Sequence, residues 1–151
     1  MQTHDSVIVA KYLLSLAYEK RIALNVTKVQ KLLFILYGFS LAKFGVAPID
    51  EHPKAWPFGP VFPRTRKKAD YGNILLPTDP CFTTVKNDKD LVELADYVVS
   101  NFSQYTASQL SEWSHMEDSP WHTTTKIPGF DWNAIIDDEL IKSYFLKFKL
   151  D

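Results

Sequence analysis

Thr27-Lys-Val-Gln-Lys-Leu-Leu-Phe-Ile-Leu-Tyr-Gly-Phe-Ser-Leu-Ala-Lys-Phe44 is the stretch that decides the fold. Val29, Leu32, Leu33, Leu36, Phe39, Ser40 and Phe44 share one helical face, while Phe34, Ile35 and Leu41 occupy the other sides. A helix that is apolar nearly all round belongs at the centre of a fold, covered by other elements. Thr27 with Gln30 reads as a capping box, each side chain serving the other's backbone donor. Gly38 costs about 1 kcal/mol against alanine in mid-helix, so it marks a place where another backbone packs closely. Gly45 ends the helix.

Upstream, Asp5 to Lys20 predicts a first helix capped by Asp5 or Ser6. Lys11, Ser15 and Glu19 form its polar stripe, opposite Val9, Tyr12, Leu13, Leu16 and Ala17. Downstream, His52 to Pro63 carries four prolines and a glycine in twelve residues. Proline removes a backbone donor and fixes φ, so this stretch is neither helix interior nor central strand. A rigid loop or a short extended pair, around residues 46–58, is the expectation. Gly59, between prolines and beside an aromatic, is expected to take a positive φ. Pro63 can open a third helix through Arg64, Arg66, Lys67, Lys68 and Ala69.

Residues 72–87 read as a loop, with Pro77, Asp79 and Pro80 as turn residues. From Lys89 to Tyr105 the pattern is amphipathic, with Leu91, Leu94, Ala95, Val98, Val99 and Phe102 inward. Thr106-Ala-Ser-Gln109 is a second capping box, opening a short helix through Leu110 and Trp113. Ser119-Pro120 restarts the chain before Trp121. Asp137 caps a final helix with Leu140, Ile141, Tyr144, Phe145 and Phe148 inward. There is no internal repeat, low-complexity tract or linker. The expectation is one compact, mainly α domain over residues 1–151, with a central buried helix and at most a short two-stranded β element.

The chain has 151 residues, of which 46% are hydrophobic and 23% charged, the balance of an ordinary globular protein. No apolar run approaches the length of a membrane span, and the start lacks the features of a signal peptide. Cys81 is the single cysteine, so no internal disulfide forms. A reducing cytoplasm suits such a chain. The net charge of −1 hides an asymmetry: residues 1–70 hold 11 Lys/Arg and 5 Asp/Glu, the remainder 6 and 13. Two readings are open, a bipolar surface with one face for an anionic partner, or halves that interleave and compensate.

Motifs for chemistry are scarce. His4, His52, His115 and His122 show no metal-ligand spacing. Phosphate-cradling glycine loops and the nucleophile elbow are absent, and Cys81 has no histidine near it in sequence. No catalytic set, cofactor or metal is expected. One constellation invites an enzymatic reading, His115 with Glu117 and Asp118 as an acid–base pair of a small hydrolase. Its alternative is structural: a histidine at a helix C-terminus can satisfy a last carbonyl. Arg64-Thr-Arg-Lys-Lys68 can grip phosphates, as in a DNA-binding regulator of its own operon, or form a solvated helix face.

Three segments taken in order carry a family resemblance. They are Thr27-Lys-Val-Gln-Lys-Leu-Leu-Phe34 with Tyr37 and Leu41-Ala-Lys43, Ala55-Trp-Pro-Phe-Gly-Pro-Val61, and Leu110-Ser-Glu-Trp-Ser-His-Met-Glu-Asp-Ser-Pro-Trp121. They resemble the Panacea domain, also catalogued as phage-associated GepA-like or SocA-like, and Ile135 to Phe145 is similar to that family's final helix. The resemblance spans about Ser6 to Phe148. It implies a helical fold and an antitoxin that binds and neutralises a companion toxin, often carried on prophages. Phe58 departs from the family's more frequent tyrosine, and Met116 to Pro120 is an altered version of its pattern.

Aromatic and arginine side chains anchor protein interfaces. The candidate partner-binding residues are accordingly Trp56, Phe58, Gly59 and Pro60 in the loop and Arg64, Arg66 and Lys67 in the basic helix. His115, Glu117 and Trp121 join them from the third segment. Core packing of Trp56 and Phe58 onto the central helix is the competing role. The partner expected is a companion toxin; a protease and operator DNA remain open, and no membrane partner is implied.

Overall fold

The computed structural model describes residues 1–148. Among the described residues eight α-helices and a two-stranded antiparallel sheet make it mainly α, as the sequence predicts. In chain order these are α1 (Ser6–Glu19), α2 (Val26–Phe44), β1 (Lys54–Trp56), β2 (Gly59–Val61), α3 (Pro63–Lys68) and α4 (Thr83–Asn87). Then come α5 (Lys89–Phe102), α6 (Ala107–Ser114), α7 (Pro120–Thr125) and α8 (Asp138–Phe145).

Helix α2 is the axis, packed by α1, α5, α6, α8 and β2. Leu32, Leu33, Leu36 and Tyr37 are fully buried in one cluster to which α1, α5 and α8 also contribute. The cap of α2 differs from expectation. Asn25 accepts from the Lys28 N–H at 2.8 Å, because Gln30 is engaged elsewhere: its Oε1 accepts from Phe62 N, 2.7 Å away in the core. Thr27 is left exposed. Gly38 also acts differently. What it admits is the Phe145 ring of α8, rather than a backbone.

Asp5 caps α1 through the N–H groups of Val7 and Ile8. The polar stripe on α1 fails at Ser15, which is fully buried with its hydroxyl unpartnered, since α2, α3 and α5 cover the helix. The stretch 72–87 is less irregular than predicted. Asp79 accepts from Cys81 N to open a 3₁₀ turn, Pro80–Phe82, that runs into α4, and buried Phe82 and Val85 hold both to the core. Thr106 and Gln109 form the capping box read from the sequence. Asp137 stands at the start of α8 without a capping hydrogen bond. Phe148 lies past the end of α8 and is exposed, although its ring packs edge-on against Phe39 and Tyr144.

The strands pair Lys54 with Val61 and Trp56 with Gly59, so Pro57 and Phe58 form the hairpin tip. The pair thus sits later than the expected 46–58. Segment 133–136 flanks β1: Ala55 N donates to Ala134 O at 2.8 Å and Asn133 N to Ala55 O at 2.9 Å. Among the described residues no helix is long and apolar enough to cross a membrane.

Candidate partner interface

The hairpin is clamped from behind by the third motif segment. Trp121, in the first turn of α7, donates its indole N–H to Trp56 O at 2.8 Å. His115 is the C-terminal cap of α6, and its ring meets that of Trp121 edge-on at 4.0 Å. Its Nδ1 lies 2.5 Å from Ser111 O and its Nε2 3.2 Å from Pro57 O. A neutral imidazole carries one N–H, so one tautomer serves one of these carbonyls. Neither Glu117 nor Asp118 bonds His115, and both are exposed. The ring's hydrogen bonds therefore fit the helix-end role and do not assemble an acid–base pair.

Side chains sort to the two faces of the hairpin. Trp56 is half-buried; its indole N–H donates to Asn133 Oδ1 at 2.8 Å, and the Arg66 guanidinium stands 5.7 Å from its ring centroid. Phe58 is 73% exposed at the tip, which excludes a core-packing role for it. Gly59 has φ +110°, the positive value expected. A side chain there would also meet Ser114 Oγ at 2.8 Å and Lys31 Nζ at 3.1 Å. Pro60 offers its carbonyl to Lys31 Nζ at 3.2 Å.

Beneath the hairpin lies a cavity of about 510 Å³, lined by Trp56, Phe58, Gly59, Arg66 and Lys67 together with Gln30, Lys31 and Tyr71. The structure thus brings five of the candidate residues around one space. His115, Pro60 and Trp121 buttress it. Arg64 turns away: its guanidinium pairs with Asp50 and Ser6 Oγ, and its backbone N–H donates to Glu51. Glu117 makes no hydrogen bond or ion pair among the described residues.

The sequence reading assigned Gln30 to a cap and gave Lys31 no role, although both are buried within the central helix. Their signal was present, a polar pair in a helix apolar on every side. Burial pulls the Lys31 ammonium down to about 8, because a charge in a poorly solvated place favours its neutral form. Trp132 and Ile135 were also missed. Both are large and exposed on the segment that flanks β1, and the Trp132 ring lies tilted by 30° to that of Trp121 with centroids 6.2 Å apart.

Comparison with known proteins agrees with this architecture of motifs. The family model described as Antitoxin SocA-like, Panacea domain matches residues 29–122, from α2 through the hairpin to Trp121. The chain is 28% identical to Antitoxin SocA of Caulobacter vibrioides (strain NA1000 / CB15N), over 95% of this chain and 84% of that protein. No solved structure matches. On the family match, which covers more than half its length, the chain belongs to the Antitoxin SocA-like, Panacea domain family.

Proposed function

We propose that this protein neutralises a companion toxin by direct contact, as a single binding domain without a catalytic step, and that the hairpin face is the contact surface. The exposed Phe58 carries the reading. A large aromatic held at the tip of a clamped two-residue turn loses little freedom on binding, which favours affinity. Trp56 and Arg66, residue types that dominate interfaces, line the same cavity as Phe58. The family supplies the antitoxin role, and prophage carriage and a cytoplasmic setting go with that role.

The test is genetic and biochemical. Expression of the small neighbouring reading frame alone should arrest growth, and co-expression with this chain should restore it, with the two proteins copurifying. A neighbour that is harmless, or one rescued without any complex, contradicts the proposal. Repression of its own operon is the second reading, favoured by Arg66, Lys67 and Lys68, which are all exposed. Arg64, engaged with Asp50, is the less free to join them in gripping phosphates.

A further inference from the structure

The cavity under the hairpin contains two polar groups that the fold leaves short of partners. Lys31 is 3% exposed. Its ammonium has three protons to donate, yet its one hydrogen bond runs to Pro60 O. Among the described residues no carboxylate lies within ion-pair distance of it. Gln30 is 2% exposed. Its Oε1 accepts from Phe62 N, which fixes the orientation of the amide, and its Nε2 is buried with no partner. The Tyr71 hydroxyl donates to the Thr65 carbonyl and lies beside the Gln30 amide, which opposes the rise that burial gives the phenol's pKa; the geometry nevertheless gives Nε2 no hydrogen bond.

Unsatisfied buried donors cost stability, and two on adjacent residues facing one cavity call for a reason. The surroundings point to an anion. Arg66 and Lys67 line the same space, and no Asp or Glu does. Val26 and Thr27, the first residues of the 19-residue helix α2, line it too, so the positive end of the helix dipole adds to the field.

We propose that this cavity receives the carboxylate of a glutamate or aspartate side chain on the companion protein, with Lys31 and Gln30 as its deep donors. The inference rests on the protein-binding reading above and names the chemistry that would be recognised. Two deep donor groups suit the two oxygens of a carboxylate, and the apolar part of the lining favours a carboxylate carried on a methylene stem over a bare phosphate. Trp56, Val61 and Tyr71 form apolar walls that fit the methylene stem of an acidic side chain. Phe58 stands at the cavity as well as at the hairpin tip, so the entering residue would arrive with an apolar contact beside it.

The test needs no companion. The full chain, labelled with ¹⁵N, is titrated with N-acetylglutamate amide, whose only charge is the side-chain carboxylate. N-acetylglutamine amide and inorganic phosphate, at matched ionic strength, are the controls. Saturable shifts of the Trp56 indole and Gln30 amide signals are expected with the glutamate derivative and not with the glutamine one. Lys31→Met should weaken that binding roughly tenfold to a hundredfold, the scale of one lost charged hydrogen bond. Gln30→Glu keeps an acceptor for Phe62 N and fills the cavity with its own carboxylate, so it should abolish the titration while the rest of the spectrum is retained. No saturable shift in the wild type overturns the inference. So does tighter binding of phosphate, or an affinity unchanged in both variants. Companion binding that persists undiminished in Lys31→Met overturns it too, and leaves the protein-binding reading standing.

Discussion

The Phe145 ring of α8 occupies the space into which a side chain at position 38 of α2 would project. A Cβ on Gly38 would overlap the ring at Cγ, Cδ2 and Cε2. Gly38→Ala therefore sets two effects against each other. Alanine gains about 1 kcal/mol of helix propensity, and the overlap costs about 1–3 kcal/mol or more because the buried ring has little room to move. Packing should win. Denaturant unfolding is expected to show a net loss, and a stabilised variant would mean that α8 shifts freely on α2.

Gly59→Val combines a strained φ of +110° with contacts to Ser114 and Lys31. A loss of about 1–3 kcal/mol is expected, read as a lower melting temperature. An unchanged melting temperature would show that the hairpin turn tolerates an ordinary side chain.

Lys31 gives a stability effect with a defined sign. Its value is about 8 in the fold against an ordinary 10.5. Across that window the unfolded chain binds a proton that the folded chain has released, so the lysine's contribution to stability rises with pH. The N-terminal ammonium, raised chiefly by its hydrogen bond to Asp90, changes stability in the opposite direction above its ordinary value. The comparison is therefore wild type against Lys31→Met. The variant should be the more stable at neutral pH, on the order of 1–3 kcal/mol, since it removes a buried ammonium without a counter-ion. The gap should narrow as pH rises above 8. A variant less stable at every pH would assign Lys31 to holding Pro60 alone.

His115→Ala tests the enzymatic alternative. The ring lies between Ser111 O and Pro57 O, donates to one of them and packs against Trp121, so its loss should lower stability by about 1–3 kcal/mol and weaken companion binding. Turnover of any substrate that disappears with His115 while the fold persists would overturn the binding-module account.

Much of this was legible from spacing alone. The all-round apolar face of α2, the Thr106–Gln109 box and the inward face of α5 are local patterns, and each appears as read. The failures are long-range. Gln30 leaves its expected cap because Phe62, far along the chain, presents a buried N–H that needs an acceptor. Ser15 is buried because α1 is covered on more faces than its own periodicity reveals. The Asp50 pair that occupies Arg64 and the cavity that unites Lys31 with Arg66 depend on how the hairpin folds back, which no local pattern encodes. The positive φ of Gly59 was readable because prolines on both sides restrict the turn, whereas the sequence left Phe58 between interface and core.

The central claim is that the hairpin face binds a companion protein, and the affinity of that complex in two variants tests it most directly. Phe58→Ala should weaken binding by roughly 2 kcal/mol or more, as truncating an interface anchor does. Lys68→Ala, outside the cavity lining, should stay within about 0.5 kcal/mol of wild type. The same protein should show no tight duplex DNA binding at about 150 mM salt. An affinity indifferent to Phe58 would contradict the account, as would nanomolar, sequence-specific DNA binding abolished by changing Arg64 and Arg66 together.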